Sequence, residues 1–336
     1  MTVETVPLPA AVTAVEATSR GSLDGTGAYV FTGEGAFLAS PCANETTGWC
    51  VDATEPTALP APSTVDGIEP LPDGRIASTY EGEWLVSAWL AAPTTRYAHG
   101  VLGDGIEAGA LVCAVQSRSG TERLASVATV LEDGSVYEDV TPRVVDLDSD
   151  GVAEVVTIRS DDRGGGSLVV HDVVPERTAD GGVAVLCPLV ARTPPIGTPN
   201  RWLNPAAIHD FDGDGVLDVA LVETPHIGGE LQLWSGASLL AGKPVMLAAR
   251  RGYSNHAIGS RVLDLAEMVR MEGSDALVLP DASRRALVAV RYENGEWVEI
   301  ARADLPARAL TGIAAVGRDL AVGLEDGTLA RVVVAD

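Results

Sequence analysis

VVDLDSDGVAEVVTI (residues 144–158) sets Asp146, Asp148 and Asp150 at alternate positions, follows them with Gly151, and returns to an acid at Glu154. IHDFDGDGVLDVALV (residues 208–222) repeats the arrangement with Asp210, Asp212, Asp214, Gly215 and Asp218. Each copy crowds four carboxylates into nine residues and runs straight into an apolar segment.

Oxygen ligands on a short loop, with a glycine to permit a sharp turn, are what a hard cation such as Ca²⁺ requires. In the pattern DxDxDGxx[DE] the side chains at positions 1, 3, 5 and 9 converge, and the backbone carbonyl at position 7 adds another oxygen. The expected ligands are therefore Asp146, Asp148, Asp150, Val152 and Glu154 in one loop, and Asp210, Asp212, Asp214, Val216 and Asp218 in the other. An EF-hand begins alike but needs a bidentate Glu at position 12 and an exiting helix. Those positions are Thr157 and Leu221, both inside strand-like runs, so the EF-hand is excluded. A merely solvated acidic turn does not account for two near-identical copies. Four carboxylates a few ångströms apart destabilise the ion-free turn, and a cation reverses the penalty. With a dissociation constant on the order of 100 μM and free Ca²⁺ about 1 mM, each site would add roughly 1.4 kcal/mol of stability.

Beyond the two loops, helical periodicity is almost absent. Short runs rich in Val, Leu, Ile and Ala alternate with glycine and aspartate turns: EVVTIRS (154–160), SLVVHDVV (167–174), VAVLCPLVA (183–191), DVALVET (218–224), DALVLPD (275–281) and ALVAVRYE (286–293) among them. Asp133-Gly134, Asn294-Gly295 and Asp326-Gly327 supply turn residues tolerant of positive φ. The chain reads as all-β. Aligning HGVLGDG near residue 100, RVVDLDSDG near 144, AIHDFDGDG near 208, RVLDLAE near 262 and GIAAVGRD near 313 gives a repeat of about four strands per unit. Four antiparallel strands per unit is the arithmetic of a β-propeller blade. Dividing 336 residues by about 48 predicts seven four-stranded blades in a single domain spanning residues 1–336, with six and eight as neighbouring counts. The calcium-loop blades fall at about 143–205 and 206–260. The last unit has only three runs, so residues 2–8 are expected to supply its fourth strand and close the ring. The equivalents near 104–105, 264–275 and 319 lack the intervening aspartates and are expected to be metal-free.

This arrangement resembles the FG-GAP or VCBS repeat family, which includes the integrin α propeller and many secreted bacterial proteins. The resemblance rests on Asp146 to Glu154 and Asp210 to Asp218. It implies a β-propeller with Ca²⁺ in turns between the first and second strands of a blade. Glu154 departs from the family's final Asp, and the Phe-Gly and Gly-Ala-Pro signatures are largely missing.

Composition narrows the function classes. At 46% hydrophobic the chain can bury a core, yet its apolar runs are far below the roughly 18 residues that span a bilayer. A net charge of −24, with Lys243 the sole lysine, repels nucleic acid and anionic lipid and attracts cations. Met1 is followed by TVETVPLPA, which has neither the basic start nor the apolar stretch of a signal peptide. The chain therefore either stays in the cytoplasm or is expected outside it after loss of a targeting segment. Cys42, Cys50, Cys113 and Cys187 form no CxxC pair, which argues against zinc. A disulfide would tie the ends of the ANETTGW loop between Cys42 and Cys50; unpaired, the cysteines would pack as small hydrophobes.

No nucleophile elbow, HExxH or phosphate loop accompanies the dispersed His99, His171, His209, His226 and His256. His209 is expected to be packed or hydrogen-bonded, and the glycine-rich GSLDGTG and DDRGGGS segments to be turns beside solvated Asp161 and Asp162. Of six tryptophans, Trp202 is the candidate for stacking on a sugar. The expectation is a non-catalytic, monomeric, Ca²⁺-binding scaffold outside the cytoplasm that holds a protein or glycan. A carbohydrate-active protein, either a polysaccharide lyase or a lectin, is the alternative.

Overall fold

The computed structural model describes residues 1–8, 10–17, 27–33, 35–42, 49–55, 61–119 and 124–334. Among these residues regular structure is almost entirely extended, with one five-residue helix, Gly236–Leu240, capped by the Ser235 side chain. The strands form antiparallel sheets.

Sequence-adjacent strands pair, so the chain lays down up-and-down meanders of four. The first is Val12–Ala17, Ala28–Thr32, Gly35–Pro41 and Trp49–Thr54. The second is Ala77–Glu81, Trp84–Thr94, Glu107–Ser117 and Ala125–Val130. The third comprises Arg143–Val145, Glu154–Asp161, Gly165–His171 and Leu189–Arg192. The two-residue strand Val136–Tyr137 pairs with both of these and merges them into one nine-stranded sheet. The fourth is Leu203–His209, Asp218–Glu223, Glu230–Trp234 and Met246–Arg251. The fifth is Glu267–Met271, Ser274–Pro280, Ala286–Glu293 and Glu296–Asp304. The sixth contains Ala309–Val316, Asp319–Leu324 and Leu329–Val333. Its fourth strand is Thr2–Val6, which runs antiparallel to Leu329–Val333 with Thr2 opposite Val333 and Val6 opposite Leu329.

The repeat spacing predicts seven units, whereas the described strands fill six meanders. Long connections account for the difference. The run 183–191 is not one strand: Pro188 has no N–H to donate, and the chain breaks there. Val183–Leu186 forms an extra hairpin with Val174–Arg177, and Leu189–Arg192 joins the third meander. Two of the expected metal-free equivalents are also misplaced. HGVLGDG lies between the second and third strands of its meander, and LAEMVRMEGS contains the strand Glu267–Met271. Only the tight turn ending at Asp319 joins a first strand to a second.

The core lies between meanders, because alternate side chains of a central strand point to opposite faces. Val219 and Leu221 pack with Val156, Ile158 and Val170 of the third meander. Ala220 and Val222 pack instead with Leu277, Leu279 and Val288 of the fifth. A strand buried on both faces must be apolar at every position, which is why DVALV carries no alternation. The same sharing joins the second meander to the third, the fifth to the sixth, and the sixth to the first. Arg75, just ahead of the second meander, pairs with Glu16 of the first at 3.0 Å.

Both cysteine pairs are bonded, Cys42 to Cys50 and Cys113 to Cys187. The ANETTGW loop itself falls largely outside the described residues, as does most of GSLDGTG.

Candidate metal centres

The two acidic turns occupy equivalent places, each joining the first strand of its meander to the second. One connects Val145 to Glu154, and the other connects His209 to Asp218. Left-handed backbone at Ser149 (φ 61°) and Gly151 (φ 94°) curls the first turn. Gly213 (φ 81°) and Gly215 (φ 90°) curl the second. Only glycine adopts these angles without steric cost, which explains the DGDG spelling.

Within each curl the carboxylates fold inward onto backbone N–H groups. Asp146 accepts from Asp150 N at 3.1 Å and from Gly151 N at 2.9 Å. Asp210 accepts from Gly213 N at 2.8 Å and Gly215 N at 3.2 Å. Asp148 accepts from Asp150 N at 3.2 Å, and Asp212 from Asp214 N at 3.1 Å. The third aspartate of each loop holds the turn: Asp150 accepts from Val152 N and Asp214 from Val216 N, each at 2.8 Å.

The last acid stands at the head of the second strand and is buried. Glu154 Oε2 accepts from Leu147 N at 2.8 Å. Asp218 uses both oxygens, one for Phe211 N at 3.2 Å and one for Gly236 N at 3.0 Å. Burial pushes the Glu154 carboxyl up to about 8, reinforced by Asp148, Asp146 and Asp150. Burial likewise pushes Asp218 up to about 6, with Asp212 and Asp214 adding to the rise.

Ligand-capable oxygens of Asp146, Asp148 and Glu154 all lie within 4.8 Å of one another, and so do those of Asp210, Asp212 and Asp214. Oxygens bound about 2.3–2.6 Å from one Ca²⁺ lie no more than about 5 Å apart, so both donor sets are close enough to fit a hard cation. The convergence is narrower than the motif predicts, since Asp150 and Asp218 stand outside these groups. Asp218 binds Phe211 N and Gly236 N with its two oxygens.

The remaining candidates sort differently. His209 Nε2 lies 3.3 Å from Asp275 Oδ2 and its ring packs edge-on against Phe211, as expected of a packed strand histidine. Asp161 is not free in solvent: it pairs with Arg192 at 2.9 Å and caps Arg163 N and Gly164 N. Trp202 is 2% exposed and donates Nε1–H to Glu138 O at 2.9 Å, so it cannot stack on a sugar at a rim.

Sequence reasoning missed a second grouping. His226 Nε2 lies 2.8 Å from His256 Nδ1, and His226 stacks parallel to Trp202 at 6.2 Å. His99 Nδ1 lies 2.6 Å from Glu138 Oε1. His226 and His256 are 30 residues apart and His99 lies more than a hundred residues before either, so no spacing rule connects the three.

No protein-family model matches this chain, and no curated protein matches it. Solved structures that align with it include a chain of a mitotic checkpoint complex, at 11% identity over 92% of this chain and 87% of that chain, with a TM-score of 0.33. A rhamnogalacturonan lyase from Bacillus licheniformis aligns at 15% identity over 80% of this chain and 59% of its own, with a TM-score of 0.34. An exotype rhamnogalacturonan lyase aligns at 17% identity over 80% and 57%, with a TM-score of 0.35. The chain thus spans less than two thirds of either lyase. Overlaps of this size carry no function across.

Proposed function

We propose that the chain is a single-domain β-propeller of the FG-GAP or VCBS kind, with six blades, stabilised by two Ca²⁺ ions and serving as a non-catalytic binding scaffold outside the cytoplasm. The observation that carries the metal assignment is the convergence of three carboxylates in each of two topologically equivalent turns. The Val152 and Val216 carbonyls, with Asp150 and Asp218 or water, complete the coordination. Chelating the ion neutralises carboxylates that burial and mutual repulsion otherwise hold in a costly state.

Closure of the ring is supported by the pairing of Thr2–Val6 with Leu329–Val333 and by the hydrophobic cluster joining the sixth meander to the first. Hydrophobic clusters join each neighbouring pair from the second meander round to the first. Such closure covers the edge that Leu329–Val333 would otherwise expose. The extracytoplasmic assignment draws on two disulfides, which persist in oxidising compartments, and on acidic loops suited to millimolar external Ca²⁺.

Isothermal titration of the chelator-treated protein with Ca²⁺ tests the assignment. Two equivalents of heat-releasing or heat-absorbing binding support it; no uptake at millimolar Ca²⁺ rejects it.

A further inference from the structure

In an up-and-down meander, the turns joining strands one to two and three to four lie at one end. At that end the fourth and fifth meanders leave a cavity of about 310 Å³ between them, at the small end of the range for ligand pockets. One wall carries His209, Asp210 and Phe211 at the start of the second acidic turn; the other carries Asp275, Arg291 and Tyr292. The first acidic turn is covered instead. The turn between Glu81 and Trp84 packs on it backbone to backbone, and a Cβ at Gly82 would stand 2.9 Å from Gly151 O.

The walls are joined across the seam. His209 Nε2 lies 3.3 Å from Asp275 Oδ2. Trp297, 3% exposed, meets Phe211 edge-on at 5.3 Å and Tyr292 edge-on at 6.2 Å. Phe211 and Tyr292 are themselves only partly buried. Two aromatic rings are thus fixed in the lining before a ligand arrives, which lowers the ordering cost of binding.

The polar groups of the seam are under-used. Seven buried side-chain N or O atoms among the described residues lack a hydrogen-bond partner, and three of them are Asp275 Oδ1, Arg291 Nε and Trp297 Nε1. The Arg270 guanidinium approaches Asp275 Oδ1 only to 3.9 Å, beyond hydrogen-bond reach. Buried polar atoms are nearly always paired, so three at one seam mark a place where another molecule supplies partners. The side chains of Asp275 and Arg291 are 27% and 15% exposed, so a rotamer adjustment turns either group toward the cavity they line.

The ligand's chemistry follows from the mixture. Asp275 can only accept, Arg291 can only donate, and the hydroxyls of Ser274 and Tyr292 do both. Charge excludes the extremes. An anion would meet Asp210, Asp275 and Glu293, whereas a cation would meet Arg291, with Arg270 beside Asp275. A hydroxyl group, which donates and accepts without charge, suits both kinds of partner, and a ring bearing several of them suits the two aromatic walls.

We propose that the seam between the fourth and fifth meanders binds a neutral hydroxylated ring, a pyranose, packed on Phe211 and Tyr292, with Asp275 accepting its hydroxyl protons and Arg291 donating to a hydroxyl oxygen. The site deepens the scaffold reading by naming the ligand's chemistry and rests on that reading only in taking the chain to be a binder. None of these four residues is a proposed Ca²⁺ ligand.

The test is saturation-transfer NMR and calorimetric titration of the calcium-treated full chain with glucose, galactose, mannose and N-acetylglucosamine. At least one should bind at one equivalent with a dissociation constant on the order of 1 mM or tighter. Its uronate and its 2-amino counterparts should each bind more weakly. Asp275→Asn keeps the shape and removes the charge, and Tyr292→Ala removes one aromatic wall; each should lower affinity about tenfold, with melting temperature confirming that the variant is folded. Calcium titration of the same samples is read separately. A protein that takes up calcium but no sugar overturns this proposal alone, and one that binds sugar without taking up calcium upholds it while rejecting the metal assignment. Failure of all four sugars to bind, preference for the acid or the amine over the neutral parent, or unchanged affinity in both folded variants overturns the proposal.

Discussion

The backbone N–H of Leu147 donates to Glu154 Oε2 at 2.8 Å, as that of Phe211 donates to Asp218 Oδ2 at 3.2 Å. The final acid of each turn thus ties the turn back to the head of the second strand before any ion arrives. Removing an outer aspartate and removing this inner one should therefore have different consequences.

Asp148→Ala and Asp212→Ala each delete an outer oxygen of one convergent group while leaving the backbone bonds of the inner acid intact. Each should lower the Ca²⁺ stoichiometry from two to one in calorimetric titration and leave chelator-treated stability nearly unchanged. At Ca²⁺ about tenfold above the dissociation constant, each lost site should remove roughly 1.4 kcal/mol. For a chain of this size that is about 2 °C of melting temperature.

Asp218→Ala should destabilise the protein even in chelator. The side chain is fully buried, and its loss strands the Phe211 and Gly236 donors, costing about 2–4 kcal/mol by the usual penalty for buried unpaired groups. Gly236 leaves no room for repair, since a Cβ there would stand 2.0 Å from Leu217 O. Urea unfolding of the calcium-free variant measures the loss; an unchanged midpoint would show that these hydrogen bonds contribute nothing.

The Cys113–Cys187 bond closes 74 residues and links the second meander to the third. Cys113→Ala/Cys187→Ala should cost about 4 kcal/mol in the chain-entropy model. Denaturation with and without reductant compares the wild type with this double variant, and reductant should bring the wild-type midpoint close to that of the variant.

Two buried groups should give stability opposite pH dependences. His171, bonded to Tyr137 Oη and Cys187 O at 3.2 Å each, is pushed by burial down to about 4. Its neutral form is the folded one, so its contribution is complete above about 6.5 and is lost as pH falls from there through 4. Glu107 is raised to about 9; its contribution is complete below its unfolded value and is lost as pH rises through 9. Glu107→Gln should therefore stabilise the protein at pH 8 by on the order of a few kcal/mol and change little at pH 4. Melting temperatures of both proteins across this range test the sign, and equal slopes would remove Glu107 as the cause.

The acidic turns were legible because everything that builds them is local. Alternating aspartates and a glycine in left-handed conformation lie within nine residues, and the strands beside them announce themselves as apolar runs. The extra strand Thr2–Val6 was also foreseeable, since the last unit is one run short. The count of meanders was not legible, because connection length is set by packing and function rather than by the strand repeat. The broken run at Pro188 shows the same limit. Apolar content alone cannot say whether a segment is one strand or two when the partner strand decides.

Sequence by itself determined that the chain is all-β and where carboxylates crowd into turns, because strand propensity, turn chemistry and charge repulsion act between near neighbours. Only the tertiary structure decided that Asp218 binds the backbone N–H groups of Phe211 and Gly236, that Trp202 is buried, and that His226 meets His256. Those facts depend on which loops the stacking of six meanders brings together, and contacts between residues distant in the chain leave no periodic trace in it.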